Sequence, residues 1–149
     1  MIFTKNRDPE DLNKLYESLI KQLPNIIFQI RVNKERQIAF DFLSKPIDFL
    51  NEFSFNEFIE DSYKLSNYTI YEPDLKGFID SYENAIANIE VWDIEFRLLL
   101  PDSGYKWIKI EATPKKNDLD EIVFYGLISD ITDVKEQEIR MRLADERYH

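Results

Sequence analysis

No cysteine occurs anywhere in the chain, which removes disulfides, thiolate metal ligands and cysteine nucleophiles together and fits a reducing compartment. The single histidine is the last residue, His149, so neither a Ser/His/Asp set nor a His-Glu-x-x-His metal spacing can be assembled. Glycine is scarce, with 3 in the whole chain, and neither Gly77 nor Gly126 sits in a phosphate-cradling pattern. Positive charge is in deficit: a formal net charge of -10, with Lys and Arg scattered, repels phosphate backbones and argues against nucleic acid. No apolar run reaches the roughly 20 residues that span a bilayer, and the first eight residues lack a signal-peptide core, so direct membrane insertion is not expected. A cytoplasmic location is the expectation, which leaves room for a membrane-anchored parent protein.

What the chain does have is rings and β-branched residues. Hydrophobic residues are 44% and aromatics 14%, enough for one domain with a ring-rich core and against a disordered tail. From Trp92 to Thr132, three runs alternate with period two and are separated by Pro101-Asp102-Ser103-Gly104 and a polar Lys115–Asp120 turn, which predicts an antiparallel meander. Upstream, Asp8-Pro9-Glu10 reads as a helix start, and Leu12, Leu15, Tyr16, Leu19 and Ile20 form an apolar stripe running to about Gln22. Asn25–Val32 and Gln37–Leu43 read as a hairpin around Asn33–Arg36, with Ile26, Phe28 and Ile30 on one face and Ile38, Phe40 and Phe42 at alternate positions. Residues 44–71 suggest several short helices. Glu72-Pro73-Asp74 starts a clearer helix ending near Asn88, with Leu75, Ile79, Tyr82 and Ile86 at helical spacing. A charged helix from Asp133 closes the chain; Val134, Met141 and Tyr148 recur every seven residues in it, a heptad hint beside the alternative of a solvated terminal helix.

Several of these pieces, in this order, resemble the PAS domains and the subgroup whose C-terminal half is the PAC motif. They are Glu72-Pro73-Asp74, Trp92 with Glu95-Phe96-Arg97, Asp102 to Ile108, Ala112-Thr113-Pro114, Tyr125-Gly126 and Asp130-Ile131-Thr132. The resemblance implies an α+β fold, a five-stranded antiparallel sheet in the order 2-1-5-4-3 with short helices and one longer helix on one face. It divides the chain into an N-terminal flanking helix (1–22), a PAS domain (23–132) and a C-terminal signalling helix (133–149). By the same resemblance, this is a non-catalytic sensor or interaction domain of a sensor histidine kinase or a cyclic-dinucleotide enzyme. Its expected partners are a second copy of itself and an output or neighbouring PAS domain in the same chain. Asp130, Thr132 and Arg97 are the expected signal relay: Asp130 and Thr132 suit a strand-to-helix junction as caps, and Asp130 is expected to pair with Arg97.

Alternation assigns the two sheet faces. Phe28, Ile30, Phe40, Ile79, Tyr82, Phe96, Ile108, Ile110, Phe124 and Ile128 are expected to line the volume where ligand-binding relatives hold their ligands. The set carries hardly any hydrogen-bond donors, which leaves the hydroxyls of Tyr63, Tyr68, Tyr71 and Tyr82 to orient a ligand, so core packing is favoured and any ligand should be small and mostly apolar. Lack of Cys and of an internal His removes the covalent flavin and haem sites of the resembling family, and no cofactor is expected. The outer face would expose Leu99, Tyr105, Trp107, Val123, Tyr125 and Leu127, an apolar patch that soluble monomers avoid. Leu15 and Leu19 of the first helix are therefore expected to cover Tyr105, Trp107, Tyr125 and Leu127, on the same chain or on a second one, giving a homodimer.

Acids are abundant at 29, so close pairs such as Glu57, Glu60 and Asp61 arise without meaning, and a solvated helix face is the plainer reading. One enzymatic alternative is a cone-shaped α+β protein resembling the ketosteroid-isomerase-like fold, with Asp41 or Asp93 as base in an apolar cavity. Both residues alternate with inward-facing ones, which counts against it.

Overall fold

The computed structural model describes residues 8–44, 70–99 and 104–147. The short helices expected around Phe55 and Phe58, the hydroxyls of Tyr63 and Tyr68, and Tyr148 and His149 lie outside the described residues.

Helix α1 (Pro9–Gln22) begins as its residues dictate: the Asp8 carboxylate accepts the Glu10 amide at 2.9 Å, and Pro9 occupies the first turn, where no N–H is needed. It is followed by β1 (Ile26–Val32), β2 (Ile38–Leu43), α2 (Glu72–Asn88), β3 (Trp92–Leu99), β4 (Tyr105–Lys116), β5 (Ile122–Asp130) and α3 (Thr132–Arg147). The five strands form one antiparallel sheet in the order β2-β1-β5-β4-β3. An α+β fold with that strand order is the one expected above. β1 and β5 occupy the middle, which is why Ile26, Phe28, Ile30 and Val32 alternate so cleanly between buried and half-buried neighbours.

One expectation about β2 fails. The register slips between Gln29 and Ile30, so Phe40 opposes Ile30 and Phe42 opposes Gln29, leaving Asp41 as the extra residue of a bulge. Ile38 and Phe40 pack on the core, whereas Phe42 is turned out and is 43% exposed. A one-residue bulge reverses alternation, and nothing in the apolar pattern of β2 announces it.

The two hairpin turns are built alike. Asn33 Oδ1 accepts the amides of Glu35 and Gln37, and Asn117 Oδ1 accepts those of Leu119 and Glu121. The third residue after each asparagine, Arg36 at φ 66° and Asp120 at φ 64°, takes the left-handed conformation that closes the loop. β4 outruns β3: their last pair is Trp92 with Ala112, and among the described residues Thr113 to Lys116 continue beside β5 alone.

The core lies between the sheet and α2. Phe78, Ala85 and Ile86 are the buried residues of that helix, with Leu75, Ile79 and Tyr82 packed at its margins. Phe78 meets Phe96 and Trp92 edge-on, at centroid distances of 4.9 and 5.7 Å, and Trp92 continues to Phe124 at 6.1 Å. The indole N–H of Trp92 donates to Ser81 Oγ at 3.0 Å, so the one polar atom of that ring is satisfied from α2. Among the described residues, no helix is long and apolar enough to cross a membrane.

Candidate functional site

The inward residues named from alternation do come together. Phe28, Ile30, Phe96, Ile108, Ile110, Phe124 and Ile128 are buried in one cluster, with Phe40, Ile79 and Tyr82 half-buried against it. Among the described residues, no buried side-chain nitrogen or oxygen lacks a hydrogen-bond partner. Asp41 and Asp93 are outside this volume. Asp41 accepts Arg31 Nε at 2.6 Å on the outer face, and Asp93 is exposed, so neither can serve as a base in an apolar cavity.

Among the described residues, a cluster of charged and aromatic side chains gathers around Arg97. Antiparallel register sets Arg97 of β3 directly across from Trp107 of β4. Its guanidinium lies 4.9 Å from the Trp107 ring centroid, 4.2 Å from that of Tyr71 and 5.6 Å from that of Tyr105. The charge is met by Asp74, the third residue of α2, through a two-point contact: Nε to Oδ2 at 2.8 Å and Nη2 to Oδ1 at 2.7 Å. Asp74 Oδ2 also accepts the Arg97 backbone amide at 2.8 Å, while the Arg97 carbonyl accepts the Tyr71 amide at 2.9 Å. Both main-chain groups of Arg97, on an edge strand, are thereby satisfied from the start of α2, and Ile70 adds a bridge to Leu98. Side-chain hydrogen bonds from Arg97 hold the Asp74 carboxyl below its usual range, against the upward push of burial.

The expected pairing of Asp130 with Arg97 is therefore not formed. Arg97 belongs to Asp74, and Asp130 sits 3.5 Å from Lys106 Nζ instead. The capping expectation fares differently. Asp130 Oδ1 accepts the Thr132 amide at 3.0 Å and the Thr132 hydroxyl at 2.5 Å, satisfying one of the free N–H groups at the start of α3. Burial raises the Asp130 carboxyl, but Thr132 and Lys106 outweigh it and the net displacement is downward.

Trp107 is the point where these two sets of contacts meet. Its amide donates to Thr132 Oγ1 at 3.0 Å and its carbonyl accepts the Ile131 amide at 2.9 Å, which fixes the β5–α3 junction to β4. On the ring, Lys135 of α3 places its ammonium 5.1 Å from the centroid while bonding Glu95 at 2.5 Å. Of this group, the sequence pointed to Arg97, Trp107, Tyr105, Asp130 and Thr132; it gave Asp74 only as part of the Glu72-Pro73-Asp74 helix start and Tyr71 only as a spare hydroxyl, and it did not point to Lys135. The usable signal was a carboxylate in the first turn of α2 and an outward arginine among outward rings, two halves that only tertiary contact joins.

The outer apolar patch is smaller than alternation suggested. Tyr125 is 49% exposed, and Tyr105 and Leu99 are exposed as well, but Trp107 and Leu127 are half-buried and Val123 is only 6% exposed. Helix α1 buries none of its residues: Leu15 is half-buried, Tyr16 and Leu19 are exposed. A groove of about 230 Å³ opens elsewhere, between the two hairpin turns and the C-terminal end of α2. Its cations are already committed, Lys34 and Lys116 to Asp120 and Arg36 to Glu83.

No protein-family model matches the chain, and no curated protein does. Solved structures do match. A sensory box histidine kinase/response regulator from Burkholderia thailandensis aligns at a TM-score of 0.55 and 16% identity, over 91% of this chain and 96% of that one. An RNA-binding light-oxygen-voltage receptor aligns at 0.65 and 13%, over 98% of this chain and 40% of that one. The N-terminal domain of a diguanylate cyclase with PAS/PAC sensor from Marinobacter aquaeolei aligns at 0.53 and 16%, over 71% and 95%. The fold of this chain is the PAS fold.

Proposed function

We propose that the chain is a non-catalytic PAS sensor or interaction module of a larger signal-transduction protein. Structural neighbours in a histidine kinase and a diguanylate cyclase support a parent of one of those two kinds. The observation that carries the reading is the β5–α3 junction, where Asp130, Thr132 and Trp107 bond a helix start to the sheet at three points. A change in the inward volume, brought by a small apolar effector or by packing alone, shifts the sheet; the junction passes that shift to α3 and biases a two-state output. The working unit is a homodimer in which the apolar stripe of α1 and the outer face with Tyr105 and Tyr125 are covered. Its output is a further domain of the same chain.

Replacing Asp130 with Ala in the parent protein tests the relay. Signalling output should change while the domain keeps its thermal midpoint within a few degrees, as expected for a loss on the order of 1 kcal/mol at a cap. Unaltered signalling in a folded Asp130→Ala protein would sink the relay.

A further inference from the structure

Two helices, α2 from the middle of the sequence and α3 from its end, are tied to neighbouring residues of the β3–β4 pair. Asp74 anchors the first turn of α2 to Arg97 by three hydrogen bonds. Arg97 and Lys135 both reach the Trp107 ring, at 4.9 and 5.1 Å, the first from the neighbouring strand and the second from the first turn of α3. Lys135 is steered there by Glu95, two residues before Arg97 on β3, so the pairs Asp74–Arg97 and Glu95–Lys135 sit side by side on one strand.

We infer that Asp74, Arg97, Trp107 and Lys135 form a mechanical link through which the position of the α2 N-terminus sets how firmly the first turn of α3 is docked. The physical basis is directional. Arg97 has a planar group, and its two hydrogen bonds to Asp74 set the orientation in which it meets the rings. When α2 moves, the guanidinium loses that constraint, the Trp107 ring loses one of its flanking cations, and the seat of Lys135 changes. Asp130 and Thr132 secure the main chain of the junction; the link acts on the side chains just beyond it. This deepens the sensor reading above and rests on it for its purpose, since α2 covers the inward face and α3 is the output element.

Hydrogen exchange by NMR on the 149-residue chain tests the link without any signalling assay. Asp74→Asn keeps the shape and one accepting oxygen but removes the charge. The first-turn amides of α3 from Lys135 onward should then exchange about threefold faster, the size expected for weakening one exposed cation–π contact. Amides of β1 should be unchanged, and Lys76→Ala, which breaks an exposed pair on the same helix, should leave α3 untouched. The effects of Asp74→Asn and Lys135→Met should combine less than additively. Arg97→Lys, retaining charge but not the flat group, gives the same readout should Asp74→Asn fail to fold. Unchanged exchange in α3, equal acceleration in β1, or strict additivity overturns the link. An effect on exchange with no effect of Asp130→Ala on output would leave the link standing and refute the sensor relay; the reverse pair of results would do the opposite.

Discussion

Gly126 faces the core at a place where no side chain fits. A Cβ there would stand 2.6 Å from the Glu111 carbonyl oxygen, 2.7 Å from Ala112 Cβ and 2.7 Å from the Phe28 ring. Two of those neighbours belong to β4 and cannot step aside without breaking the β4–β5 ladder. Gly126→Ala is therefore expected to lower stability by about 1–3 kcal/mol, the range for overfilling a packed core. Gly77 is the internal contrast: it lies within α2 with nothing inside 4 Å of the same added carbon. Gly77→Ala should raise stability by roughly 0.5–1 kcal/mol through helix propensity alone. Urea midpoints of the two variants should move in opposite directions, and a shift of both to the same side would disprove the packing account. The role of Asp41 was likewise invisible in advance, since a bulge is a property of the strand pair and leaves no mark on β2 alone.

The contact between α2 and β3 has a pH signature. Asp74 has its folded pKa lowered, first by the Arg97 side chain, so the stability it contributes is complete above the ordinary carboxylate value of about 3.9 and is lost as pH falls through the lower folded value. The gap in stability between the native chain and Asp74→Asn should hold level from about pH 7 down to about 5 and narrow below about 4. Chemical denaturation across that range measures it; a gap that widens on acidification contradicts the ion pair. Elements of this kind show how far sequence reading reaches. The N-cap of α1, the alternation of β1 and β3, and the end of α2 at Asn88 are set by neighbours close in the chain, and each lies where local chemistry puts it. The partner of Arg97 is set by contact between residues 23 positions apart, and alternation, which tells in from out, is silent on which acid an outward base will meet. The same limit explains Val123, outward by pattern yet buried.

At the scale of the whole molecule, the apolar stripe of α1 remains unburied while Tyr105, Tyr125 and Leu99 stand exposed on the sheet. If α1 closes a dimer, native mass spectrometry of the intact chain should register two subunits, together with any retained small ligand, and removal of residues 1–22 should give one subunit. A well-folded dimer after that truncation would refute the role of α1. The net charge of -10 disfavours unspecific clumping of such a surface, since copies repel at a distance and associate only where short-range fit exceeds that repulsion.

The overhang of β4 beyond β3 bears on how copies avoid meeting wrongly. Past Ala112 the strand has, among the described residues, a neighbour on one side only, and a bare strand edge is a template onto which another chain can add by backbone pairing. Here the segment reads Thr113-Pro114-Lys115-Lys116: the proline supplies no N–H to an incoming strand, and two ammonium groups follow it. The run is thus guarded against strand addition and the fibrous growth that strand addition begins.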